Sequence, residues 1–268
     1  MSRILFVSFA LIAQAVAADD MLEVTPAMPV GNGSLAAFRK TGAVPDTVLI
    51  HFHGAKSTVK EAFARSDWNT ALVVINFPGL SSAYSKPFAE DRELFGQILE
   101  QTYSAASGKT SGEWKRVYLS SFSAGYGAIR EILKTPAYFE QIDGIVTADS
   151  IYAGLNPQAL NRVVDDENMR DFARFASLAA ENKKAFVLSH SSQPTSYAST
   201  TETADYLLNS LGMARMPRTS LSTDTMRPTS VAERGQFLIL GFEGASGQEH
   251  MQHLKHIDRF WNQVPRRK

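Results

Sequence analysis

Six short runs of apolar and β-branched residues punctuate the chain, at 47–52, 72–77, 117–122, 144–148, 185–189 and 236–241. Each is too short for a helix and lacks the alternation of a strand with one wet face, so each fits a strand buried on both sides. Strands of that kind belong to a parallel sheet covered by helices. Helical patterns lie between them: 90–103 before the third run, 124–134 after it and up to Pro136, and 199–211 stopping at Gly212. The alternation predicts an α/β architecture, an open, doubly wound and mostly parallel sheet of about six core strands with helices on both faces. Pro and Gly are scattered as turn punctuation and no internal repeat is visible, so 19–268 reads as one domain.

Two stretches fit this scheme less simply. Residues 155–182 are longer than a plain crossover and carry a helical pattern over 167–180, which predicts a small cap insertion above the strand ends. Phe172, Phe175 and Leu178 recur at helical spacing within it and read as core packing. Residues 20–44 are short and irregular, which predicts a reduced fold without well-formed antiparallel opening strands.

The balance of 27 Lys+Arg against 27 Asp+Glu in 268 residues lacks the basic footprint that nucleic-acid and anionic-membrane binders carry. The absence of cysteine excludes disulfides, thiolate metal sites and a cysteine nucleophile. At the start, Arg3 precedes an apolar run over 4–13 and the small residues Ala15-Val16-Ala17-Ala18. This reads as a secretory signal peptide, 1–18, cut before Asp19. The run is shorter than the roughly 20 residues a bilayer span needs, so the expectation is export to a periplasm or beyond the cell, without a stable membrane anchor.

The segment 117–133 carries the chemistry. It runs from an apolar strand through the small-residue turn Ser121-Phe122-Ser123-Ala124-Gly125 straight into a helix. A serine on so tight a turn is pushed out above the sheet edge, and the helix N-terminus behind it favours developing negative charge. Ser123 is therefore the candidate nucleophile; the plainer alternative is a serine that ends a strand and caps a helix. The turn resembles the Gly-x-Ser-x-Gly nucleophile elbow of the α/β-hydrolase superfamily, with Ser121 in place of the first glycine. His51-Phe52-His53-Gly54-Ala55 is similar to the His-Gly segment that follows the equivalent strand in that superfamily. The resemblance spans 45–265 and implies cofactor-free hydrolysis, with an oxyanion hole built from the amides of Ala55 and Ala124. The His51/His53 pair also invites a zinc reading, but no third ligand of fitting spacing stands beside it, and no metal site is assigned.

A serine hydroxyl needs a general base, and in the superfamily this comes from a loop after the last core strand. Here 242–256 offers His250, His253 and His256. His250, nearest the strand end and the helix start, is preferred over His253, while His256 reads as part of a solvated helix face. The orienting acid is read as Asp149, which closes the fourth run; the alternative is Glu202, whose spacing from Ser199 also reads as a capping box. Phe77, Leu80, Tyr84 and Phe88 are candidate pocket walls, and the polar stretch 189–197 suits a hydroxylated substrate, though no substrate-binding residue is singled out. The resemblance implies an exported serine hydrolase, a carboxylesterase acting on a small or polymer-borne ester through an acyl-enzyme. A serine peptidase or amidase, and a catalytically silent binding module of the same fold, are the alternatives.

Overall fold

The computed structural model describes residues 20–218 and 226–265; the leader read at 1–18 lies outside the described residues. In chain order its strands are β1 (Met21–Glu23), β2 (Ser34–Lys40), β3 (Thr47–Phe52), β4 (Ala71–Asn76), β5 (Arg116–Phe122), β6 (Ile142–Ala148), β7 (Ala185–His190), β8 (Met216–Pro217), β9 (Ser230–Arg234) and β10 (Phe237–Gly241). The helices are α1 (Lys56–Arg65), α2 (Ser81–Glu90), α3 (Leu94–Ser107), α4 (Tyr126–Leu133), α5 (Pro136–Gln141), α6 (Asp166–Ala180), α7 (Thr200–Ser210), α8 (Gly247–Lys255) and α9 (Ile257–Trp261).

All strands join one sheet in the order β1-β2-β4-β3-β5-β6-β7-β10-β9-β8. The six apolar runs are its central parallel strands, β4-β3-β5-β6-β7-β10. The sheet as a whole has ten strands rather than about six, because antiparallel pairs extend both edges: β1 and β2 beyond β4, β9 and β8 beyond β10. The expectation of a chain without antiparallel opening strands is thus overturned. These flanking strands are partly wet or very short, so no apolar run marks them: β2 is buried over its middle alone, and β8 has two residues, both exposed.

Burial on both faces explains the uninterrupted apolar runs. Val48, Ile50 and Phe52 of β3 point into one core with Val73 and Ile75 of β4, while Leu49, Leu72 and Val74 point into the other. Helices α2 to α7 cover the first face; α1, α8 and α9 cover the second. The helix expected over 90–103 is α3, shifted to Leu94–Ser107 and ended by left-handed Gly108, and the preceding 81–90 forms a separate helix that tolerates Pro87. Consequently Tyr84 and Phe88 are fixed in the core, and Leu80 is left 76% exposed.

The segment 155–182 divides. Helix α6 begins at a side-chain cap, Asp165 accepting from the Glu167 and Asn168 amides, and buries Met169, Phe172, Phe175, Ala176 and Ala179 in the first core. Phe175 packs edge-on to Phe186 of β7 and Phe139 of α5, and each such phenylalanine buried contributes about 1.5–3 kcal/mol. This helix is a crossover lying on the sheet. The stretch 155–165, tied by a Leu155–Val164 bridge and by Arg162 to Glu202, runs beside the start of α7.

Candidate active site

Strand β5 ends at Phe122, and the chain turns through a 3-10 turn, 123–125, into α4. Ser123 sits at φ +47, in the left-handed region that costs a non-glycine residue energy and needs surrounding structure to hold it. Two features supply that hold. Gly125 lies where an added Cβ would meet the Phe52 carbonyl oxygen at 2.1 Å, so β3 and the turn touch backbone to backbone. From the other side, Ser150 Oγ donates to the Ser123 carbonyl at 2.7 Å. Ser121, which stands in the first elbow position, lies 2.9 Å from Ser150 Oγ. Because Ser150 spends its single proton on Ser123, Ser121 must be the donor to Ser150. A serine at this position therefore extends the support of the turn. Ser123 Oγ has no hydrogen-bond partner among the described residues.

Asp149, fully buried, closes β6 at φ +40, and Ile151 two residues on is at φ +74, an unusual conformation for a β-branched residue. The bend brings its carboxylate under α8, where His250 Nδ1 donates to Asp149 Oδ2 at 2.6 Å. The other oxygen, Oδ1, accepts from the Ser191 amide and from Thr200 Oγ1, both at 2.7 Å. Burial pushes the Asp149 carboxyl up, but the His250 bond, the nearby His253 and the Thr200 hydroxyl outweigh it and hold the pKa below the usual carboxylate range. With Nδ1–H committed to Asp149, Nε2 of His250 is the face left to take a proton, and it has no protein partner among the described residues. The imidazole stacks on Phe122, the residue before Ser123, with ring centroids 4.5 Å apart.

His53 also stacks on Phe122, 5.9 Å away and nearly parallel. It follows β3 at φ +72, and the next residue, Gly54, is at φ +143. Asn76, at the end of β4, clamps this loop twice: its Oδ1 accepts from the Gly54 amide and its Nδ2 donates to the Gly54 carbonyl, both at 2.9 Å. Tyr84 Oη adds a 2.8 Å bond to His53 Nδ1. Ala55, the N-cap residue of α1, follows at once, and its N–H makes no backbone hydrogen bond among the described residues. Ala124 lies at the N-terminal end of the turn-helix unit, where N–H groups lack intrahelical acceptors. Burial, and after it the neighbouring His250, hold His53 below the ordinary histidine range.

The remaining sequence candidates are placed elsewhere. Glu202 forms a capping box with Ser199 and a two-point ion pair with Arg162, at 2.8 Å on each oxygen, which holds its pKa down to about 2. His253 bonds at 2.8 Å to Ser189 Oγ, which also accepts from the Asp149 amide at 3.2 Å, and burial lowers its pKa to about 4. His256 ends α8 as its C-cap. His51 and His53 do not form a pair: His51 is wholly buried, donating from Nε2 to the His53 carbonyl at 2.8 Å and accepting from Ser120 at Nδ1 at 3.0 Å. Burial takes its pKa to about 3. No cluster of three metal-ligating side chains occurs among the described residues. Sequence reasoning did not single out Asn76, Ser150, Ser191 or Thr200. Ser150 adjoins Asp149 and Asn76 ends an apolar run, so position at a strand end was the signal they offered.

No protein-family model matches the chain, and neither does any curated protein. Solved structures do. A hyperthermophilic esterase from Pyrobaculum calidifontis superimposes over 90% of this chain and 82% of its own, with a TM-score of 0.52 at 9% identity. The chain has the α/β-hydrolase fold. An α-β serine hydrolase homologue from Coxiella burnetii covers 91% of this chain and 95% of its own at 15% identity, with a TM-score of 0.46. An arylesterase covers 95% and 90% at 11% identity, with a TM-score of 0.47. In this α/β-hydrolase fold Ser123, Asp149 and the loop leading to His250 all lie at the carboxyl edge of the parallel strands, where open α/β sheets place their ligands.

Proposed function

We propose that the protein is a serine hydrolase cleaving carboxylic esters through an acyl-enzyme. The observation that carries this reading is the 2.6 Å bond from His250 Nδ1 to the buried Asp149, on an imidazole stacked beside the Ser123 turn. Ser123 Oγ attacks the ester carbonyl carbon while His250 Nε2 takes the hydroxyl proton. Asp149 fixes the imidazole's tautomer and stabilises its charged form, without itself being protonated. The amides of Ala55 and Ala124 donate to the oxyanion, each worth roughly 3 kcal/mol in the transition state. Collapse expels the alcohol, which receives the proton from His250. Water then gives one proton to His250 as its oxygen bonds to the acyl carbon; the bond to Ser123 Oγ breaks, His250 returns the proton to Oγ, and the acid leaves. On the composition of residues 1–18, we place this activity outside the cytoplasm, in a periplasm or the medium.

The test uses the full chain with p-nitrophenyl acetate and a fluorophosphonate that labels activated serines. Turnover and labelling are expected in the wild type and absent in Ser123→Ala. Asp149→Asn should lower kcat by about 10⁴, since an amide cannot hold the same tautomer, whereas Glu202→Gln should retain activity. No ester turnover, or labelling that persists in Ser123→Ala, refutes the reading. A panel of matched p-nitroanilides separates esterase from amidase.

A further inference from the structure

Three tyrosines lead away from the nucleophile. Tyr126, three residues after Ser123, packs on Tyr152 with centroids 5.7 Å apart, and Tyr152 packs on Tyr197 at 5.5 Å. Exposure rises along the series, from a buried Tyr126 to a Tyr197 that is 49% exposed. The Tyr197 carbonyl accepts from Arg162 at 2.7 Å, and Arg162 is part of the wall of a cavity of about 650 Å³ at the ends of β7 and β10. That cavity begins two strand spacings from Ser123, about 10 Å, and its volume is that of a small-molecule site.

The chemistry of its wall restricts what it takes. Both arginines are already neutralised, Arg162 by Glu202 and Arg215 by Asp205 at 2.6 Å, and the second Arg215 nitrogen contacts His190 Nε2. A guanidinium can only donate, so His190 Nε2 is an acceptor and the ring is neutral. Burial, then Arg215, keep it so, with a pKa lowered to about 4. The floor is polar and tightly built: a Cβ on Gly241 would meet Ser230 Oγ at 2.3 Å and His190 Nε2 at 2.7 Å. The Gln193 amide and the Ser230 hydroxyl line the cavity and have no side-chain hydrogen-bond partner among the described residues. The wall thus combines neutral donors and acceptors with the apolar surface of Phe242 and Pro194, and the exposed Tyr197 is joined to it through Arg162. That combination suits a neutral ligand rich in hydroxyl groups with flat apolar faces. With both guanidiniums already paired, the wall offers an anion no unpaired cation among the described residues.

We propose that Tyr197, at the exposed end of the series, and the cavity beside it form an extended subsite for a neutral oligosaccharide, so that the ester cleaved at Ser123 is carried on a sugar chain. The claim about substrate rests on the serine hydrolase reading; the claim about binding does not. Calorimetric titration of Ser123→Ala protein with xylotetraose, cellotetraose and maltotetraose separates the two. At least one tetrasaccharide is expected to bind with a millimolar or better Kd. Tyr197→Ala and Gln193→Ala should each weaken that binding about fivefold, the loss of one stacking or hydrogen-bonding contact. Both residues are partly or largely exposed, so the variants should fold, and their melting curves will show it. Three tetrasaccharides that all fail to bind, or affinity unmoved by both folded variants, overturn the subsite. So does a tetragalacturonate that binds more tightly than every neutral chain. Absence of ester hydrolysis in the wild type with sugar binding intact would instead remove the hydrolase reading and leave the subsite standing.

Discussion

Removal of one buried hydroxyl tests how the Ser123 turn is held. In Ser150→Ala the Ser123 carbonyl loses its 2.7 Å donor and Ser121, fully buried, is left with a hydroxyl proton and no acceptor. A lost buried hydrogen bond costs about 0.5–1.5 kcal/mol, and an orphaned buried hydroxyl about 1–3 kcal/mol more. The expected destabilisation is therefore about 1.5–4.5 kcal/mol. Ser121→Ala removes just the outer bond and leaves Ser150 paired with Ser123, so it should cost about 0.5–1.5 kcal/mol. The double variant has no orphaned hydroxyl. It should be less destabilised than Ser150→Ala alone, and the coupling between the two sites should be at least about 1 kcal/mol. Urea unfolding of the four proteins at neutral pH measures the cycle, and ester turnover reports whether Ser123 still stands in its left-handed turn. Single effects that simply add in the double variant would refute the relay, as would a Ser150→Ala protein as stable as wild type.

Two further outcomes follow from burial and from close backbone contact. His51, His190 and His253 have folded pKa values near 3, 4 and 4, below the ordinary histidine value. The unfolded chain therefore binds protons first as pH falls, and stability fully present above about pH 6.5 is lost progressively down to about pH 4. Asp149, also depressed, adds a loss below the ordinary carboxylate pKa. Urea midpoints should be flat from neutral to mildly alkaline pH and fall steadily in the acid window; a midpoint that holds constant through it contradicts the assignment of neutral buried imidazoles. Gly125→Ala forces a Cβ to within 2.1 Å of the Phe52 oxygen, whereas nothing lies within 4 Å of a Cβ on Gly247. The first should lower Tm by many degrees and abolish turnover, the second should leave Tm unchanged or raised; equal melting temperatures would show that β3 and the turn do not touch.

Legibility in the sequence followed burial. Strands such as Ala71–Asn76 are covered on both faces and announce themselves as unbroken apolar runs, while Ser230–Arg234 is mostly wet and blends with its surroundings. Helix α2 was hidden by Pro87 and by a mean composition of small polar residues, although Tyr84 and Phe88 gave it an apolar stripe. In the site, the small residues of the Ser123 turn were readable because geometry demands them. The choice between Asp149 and Glu202 was not, since both lie at plausible strand or helix ends and distance across the fold is what separates them. Likewise His250 and His253, three residues apart on α8, diverge toward Asp149 and Ser189, a difference of rotation about one helix that no linear pattern records. Asn76 and Thr200 act through hydrogen bonds to residues 22 and 51 positions away, at Gly54 and Asp149.

The buried cluster behind the His-Gly loop sets an order of events. Trp261, in α9, donates from its indole to Ser120 Oγ at 2.9 Å, and its carbonyl accepts from Trp68 Nε1 at 2.9 Å. Ser120 in turn holds His51, which holds the His53 carbonyl. The loop that carries Ala55 is thus fastened by a residue made some two hundred positions later. A chain emerging from a ribosome N-terminus first has its Ser123 turn early but cannot lock the facing loop until α9 has followed. A chain stalled before residue 257 would lack Ile257, Phe260 and Trp261 and would leave the second core open to proteases.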